Sequence, residues 1–219
     1  MNTQYNIFNV LYLVFRLAPI VVISFFMLQS LFNLDPRGFV YLIGLFFSTM
    51  ISSIAGQLLS VGMGDTFQAG QSFKCNTFYL GSIPVGTGGV VEPLSKVPLN
   101  VMLYAYTLSY LFTSFVAPPV TYKNSIITLQ QNWTTLLLFL FLLFSEIAWL
   151  LSNSCNSFVF IVVAVAIGVL FGVLWTYVIR WMKEPRLQYT SMNHVDVCSK
   201  PSKTVYRCRN LNGNYSVKS

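Results

Sequence analysis

The stretch Phe158–Trp181, FVFIVVAVAIGVLFGVLWTYVIRW, is apolar from its start and meets its first charge only at Arg180. At about 1.5 Å per residue, a helix of this length crosses a hydrocarbon core of about 30 Å. Toward the N-terminus four more stretches have the same character, at about 7–32, 38–60, 98–116 and 133–151. Five helical spans are therefore expected, with 1–181 as the membrane domain, 61–97 as an outer loop and 182–219 as a tail. The composition agrees. Of 219 residues, 55% are apolar, 16% aromatic and only 9% charged, where soluble domains carry about 25% charged residues. The mean hydropathy is +0.64. The expected fold class is an all-α membrane protein, and its first partner is the lipid bilayer.

The first stretch differs from a cleaved signal peptide: its apolar part is too long, it lacks a basic start, and no small-x-small cleavage site follows. It ends at the polar turn Asn33-Leu34-Asp35-Pro36-Arg37. The second span carries Ser48, Thr49, Ser52, Ser53, Ala55 and Gly56, small side chains that let a neighbouring helix approach closely. Lys and Arg in short loops resist translocation, so they mark the cytosolic side. Arg37, Lys123, Arg180, Lys183, Arg186, Lys200, Lys203, Arg207, Arg209 and Lys218 fall on one side; Lys74 and Lys96, with Arg16 nearer to them, fall on the other. This predicts an external N-terminus and a cytosolic C-terminus. The sequons Asn132-Trp133-Thr134 and Asn214-Tyr215-Ser216 would then both face the cytosol and carry no sugar. The pI is about 9.3, yet eight of the thirteen cations lie after residue 179 rather than along a folded basic face. No specific nucleic-acid partner is expected.

The loop 61–97 is rich in Gly, Ser and Thr, with Gly86-Thr87-Gly88-Gly89 between Pro84 and Pro93, and also holds Phe67, Phe73, Phe78 and Tyr79. It is too apolar for a solvated linker and reads as a cap folded over the outer helix ends. The glycine run lacks a Gly-Lys-Ser/Thr ending, so it is no phosphate loop. In the tail, Thr204–Arg209 and Tyr215–Lys218 alternate in polarity around Asn212-Gly213, a hairpin pattern. Two strands alone are marginal in water, so such a hairpin needs a preceding segment, a second copy or a partner to lean on. The other reading is a solvated basic tail held near anionic lipid heads.

Cys75 and Cys155 fall on the outer side, where an oxidising lumen lets them pair and tie the cap to the last helical hairpin. Cys198 and Cys208 fall on the cytosolic side. A disulfide there needs an unusual redox setting; with His194 they supply only three zinc ligands at spacings unlike common fingers; and free thiols are the third reading. Two ionisable residues lie inside the spans, Arg16 and Glu146, both in the outer half of the bilayer. They are read as an ion pair locking the first and fourth helices, with a proton or ion relay as the alternative.

Catalysis lacks its parts. His194 is the single histidine, the six acids are scattered, and no metalloprotease, hydrolase, kinase or nucleotide-binding pattern occurs. No enzyme activity, cofactor or metal is expected.

The run Phe160–Tyr177, then Pro185-Arg186-Leu187-Gln188-Tyr189, then Cys198-Ser199-Lys200-Pro201-Ser202-Lys203 with Cys208 and Asn212-Gly213, resembles multi-pass virion membrane proteins of nucleocytoplasmic large DNA viruses. The resemblance covers roughly residues 146–215. It implies a structural component of the internal viral membrane whose tail, through Arg180, Lys183, Arg186, Lys200, Lys203, Arg207 and Arg209, meets capsid proteins. It also implies oxidised cysteines on the cytosolic side, including a Cys198 to Cys208 bond. In the competing reading the helices oligomerise, with the chain itself as partner, into an ion channel or transporter lined by Ser48, Ser52 and Gln57.

Overall fold

In the computed structural model the described residues are 7–63, 82–83, 92–93, 96–116, 122–182, 187–188, 198–199, 206–209 and 215–218. The strands and residues 7–14, 16, 60, 62–63, 122–125 and 127 are described as backbone alone. Five helices make up the described membrane domain: α1 (Ile7–Phe32), α2 (Arg37–Met63), α3 (Leu99–Val116), α4 (Tyr122–Ser152) and α5 (Phe158–Trp181). In the loop, β1 (Ser82–Ile83) pairs antiparallel with β2 (Glu92–Pro93). In the tail, β3 (Cys198–Ser199), β4 (Tyr206–Arg209) and β5 (Tyr215–Lys218) form an antiparallel sheet in that order. The remainder of the expected cap, 61–97, and the Asn212-Gly213 turn lie outside the described residues.

Four helices, α2 to α5, are long and apolar enough to cross a membrane, as an integral membrane protein requires; in α1 the described apolar part, Leu17–Asn33, is shorter. Two boundaries differ from the sequence reading. Helix α2 runs from Arg37 to Met63, and α4 begins at Tyr122 rather than near 133. The polar residues Lys123, Asn124, Gln130, Gln131 and Asn132 lower the local hydropathy without interrupting the helix, and the membrane-length apolar part of α4 begins at Thr128.

The connections are built from local chemistry. Between α1 and α2, Asp35 Oδ1 accepts the backbone N–H of Arg37 at 3.1 Å, the Pro36 carbonyl accepts the Val40 N–H at 3.0 Å as the helix begins, and Ser30 Oγ donates to the Asp35 carbonyl. The Arg37 guanidinium also pairs with Asp35 at 3.4 Å. Gly38 lets α2 leave this turn against α1, since a Cβ there would clash with the Phe26 carbonyl oxygen. Between α4 and α5, Cys155 N–H bonds to Leu150 O at 3.0 Å and Ser154 N–H to Leu151 O at 3.2 Å, while Ser154 takes φ 49°. That is a Schellman ending with serine in the position glycine usually takes. It buries Cys155 beside Leu150.

Helix α3 is the centre of the bundle. Thirteen of its eighteen residues are buried, against seven of twenty-four in α5. The stripe Ala164, Gly168, Gly172 and Thr176 of α5 packs on it. A Cβ at Gly168 would lie 2.6 Å from Met102 O, and one at Gly172 would lie 2.7 Å from Tyr106 O. Rising numbers on one helix meet rising numbers on the other, so α3 and α5 run parallel, as two helices entering from the same side of a membrane must.

Candidate functional site: the polar centre around the third helix

A helix enclosed by other helices in lipid can carry polar groups that a lipid-facing helix cannot, because neighbours supply their hydrogen bonds. Helix α3 does so. Asn100, Tyr104, Tyr106, Thr107, Tyr110 and Ser114 are all buried on it. Tyr41 of α2 lies 2.6 Å from Thr107 Oγ1, and Thr107 Oγ1 donates its proton to Leu103 O at 2.7 Å. A hydroxyl has one proton, so Tyr41 is the donor to Thr107. Tyr106 Oη donates in turn to the Tyr41 carbonyl at 3.2 Å. The rings of Tyr41, Tyr106 and Tyr110 lie 5.4–6.1 Å apart, with Phe26 of α1 4.1 Å from Tyr41. Trp175 of α5 closes the arrangement by donating Nε1–H to Val40 O at 2.9 Å. Gly44 makes room, because a Cβ there would meet both Tyr106 Oη and the Trp175 ring.

The hydroxyls of the second span join this centre. Ser48 is fully buried and donates to Met102 Sδ at 3.1 Å, and Ser52 is equally buried. Gln57 lies on the exposed face of α2. The three residues assigned to a channel lining thus sit on two different faces.

Glu146 is buried on α4, where its Oε1 accepts from Asn100 Nδ2 at 3.2 Å. The side chain of Arg16, the expected ion-pair partner, lies outside the described residues. Cys155 is disulfide-bonded, and Cys75, its expected partner, lies outside the described residues. In the tail sheet Cys198 is the register partner of Cys208. Of the tail cations, Arg180 ends α5; Lys183, Arg186, Lys200 and Lys203 lie outside the described residues; Arg207 and Arg209 lie on β4. Among the described residues no three His, Cys, Asp or Glu side chains converge.

The tail is held where it leaves the membrane domain. Gln188 is 2% exposed, donates Nε2–H to Thr176 O at 2.8 Å, and accepts from Arg180 Nε at 3.5 Å. The chain therefore turns back after α5 and seats an amide against its own last turns. At that end of the bundle Trp181 is 85% exposed and Trp133 59%, the placement of tryptophans at a membrane interface.

Sequence reasoning missed the tyrosine centre and the Gln188 seat. The signal for the first was present: the third span is the least apolar, with tyrosines at 104, 106 and 110, and the fifth places small residues every fourth position from Ala164. Both patterns mean buried contact in lipid, where polarity turns inward. Nothing local marks Gln188. No protein-family model, curated protein or solved structure matches this chain.

Proposed function

We propose that the chain is a structural multi-pass membrane protein of a large DNA virus particle, anchoring the internal membrane to the overlying capsid through its basic tail and hairpin. The observation that carries this reading is the closed polar centre. Asn100, Tyr106 and Thr107 of α3 bond to Glu146, to the Tyr41 carbonyl and to Tyr41 Oη, and Tyr104, Tyr110 and Ser114 are buried beside them, which suits a rigid anchor better than a conduit. The seat of Gln188 adds a fixed point from which the tail departs on the cation-rich side. The resemblance over 146–215 supplies the viral setting. A tail of this kind gains affinity from many copies of a weak site on a lattice.

Cross-linking of intact particles with an amine-reactive reagent, followed by mass spectrometry, tests the reading. Lys200, Lys203 and Lys218 should link to a capsid protein present in similar copy number. Cross-links confined to other copies of the chain, together with ion flux in proteoliposomes, would replace the anchor with an oligomeric channel.

A further inference from the structure

The tail sheet places two cysteines opposite each other. Cys198 on β3 and Cys208 on β4 are direct antiparallel partners, with Ser199 against Arg207 as the next pair. Directly opposed residues on antiparallel strands have Cα atoms about 4.5 or 5.5 Å apart, depending on whether the pair is hydrogen-bonded. Both spacings fall inside the range of about 4.4–6.8 Å that a disulfide spans. Either kind of pair thus brings the two backbones within reach of the bond. The strand it would fasten needs fastening: β3 has two residues and pairs only with β4 among the described strands, while β4 pairs with β5 over four positions.

We propose that Cys198 and Cys208 form a reversible cross-strand disulfide that clasps β3 to the β4–β5 pair. The two thiols lose two protons and two electrons to a disulfide acceptor such as oxidised glutathione, which leaves as two thiols, and one S–S bond forms. The tail lies on the side that the cation distribution assigns to the cytosol, where glutathione holds ordinary thiols reduced. The clasp is accordingly a redox-responsive element, open in a reducing compartment and closed on exposure to oxidant. Closing the loop between positions 198 and 208 removes chain entropy from the open tail, which favours the three-stranded form by about a hundredfold on loop-closure arithmetic. The inference is independent of what the tail binds.

The test uses the full chain in detergent, equilibrated in glutathione buffers from fully reduced to fully oxidised, quenched with acid and alkylated with N-ethylmaleimide. Peptide mass spectrometry then reads the tail. The expected result is a Cys198–Cys208 linked peptide that replaces the doubly alkylated form as the buffer becomes oxidising and reverts on adding a phosphine. In the closed form, proteolysis between the two cysteines slows by about the same hundredfold, and C198S abolishes both changes, leaving Cys208 alkylated in reducing buffer and carrying one glutathione in oxidising buffer. Two free thiols in the oxidised buffer, a glutathione adduct on each cysteine, or a bond from either to Cys75 or Cys155 would each overturn the proposal. The wild-type titration decides it even if the variant fails to fold.

Discussion

The donor assignment at Tyr41 separates bonds that can be lost cheaply from one that cannot. In Tyr41→Phe the Thr107 hydroxyl keeps its own bond to Leu103 O, so the loss is one neutral hydrogen bond, about 1 kcal/mol. Asn100→Leu differs, because it removes a donor from the buried Glu146 carboxyl; taking a partner from a buried polar group costs about 1–3 kcal/mol. Thermal unfolding in detergent should therefore rank Asn100→Leu as clearly worse than Tyr41→Phe. Equal midpoints would mean that the Asn100–Glu146 bond contributes nothing. Such bonds were beyond sequence reading. An ionisable residue in a span announces itself by its cost in lipid, so Glu146 was visible, whereas its neighbour is fixed by how α3 and α4 pack. The order of the spans puts Asn100 and Glu146 both toward the outer side, but nothing in a string of residues says that they face each other.

Among the elements, the contact between α3 and α5 depends most on small side chains. Gly172→Val places its branch against Tyr106 O and Tyr110 N, backbone atoms that cannot rotate away, and overpacking of this kind costs about 1–3 kcal/mol or more. The change should lower the midpoint in detergent, while Val169→Leu on the exposed face of the same helix should leave it unchanged. The ending of α4 offers the opposite sign. Ser154 holds φ 49°, where a side chain is strained and glycine is not, so Ser154→Gly should stabilise the α4–α5 turn by up to about 1 kcal/mol. A drop in stability would mean that the serine side chain makes a contact that outweighs the strain. At this scale the sequence was legible. Hydropathy located α3 and α5 almost to the residue, because lipid imposes length and apolarity on whatever crosses it. It failed at the start of α4, because Lys123, Gln130 and Gln131 lower the hydropathy that marks a span but do not stop a helix.

For the molecule as a whole, polarity runs inward. The buried set is rich in tyrosine, serine and asparagine, while Phe46, Phe141, Leu170 and Leu174 face outward, as expected where the surrounding solvent is hydrocarbon. Orientation also becomes testable beyond charge counting. Asn132 is 3% exposed and donates its side-chain N–H to Thr128 O at 2.9 Å within α4. A glycosyltransferase cannot reach it in the folded bundle, so expression with microsomes should give no glycosidase-sensitive species at that sequon; a mass shift lost in Asn132→Gln would show that α4 is exposed outside during biogenesis. The enclosed α3 has one last consequence, for synthesis at the ribosome. Its tyrosines and Asn100 suit a protein interior, and its closest packing surface, α5, emerges some fifty residues later. A translocon presented with α3 alone has little reason to release it sideways, so in a nascent chain stopped before residue 158 a photo-crosslinker placed in α3 should still label the translocon, and extension through residue 181 should abolish that label.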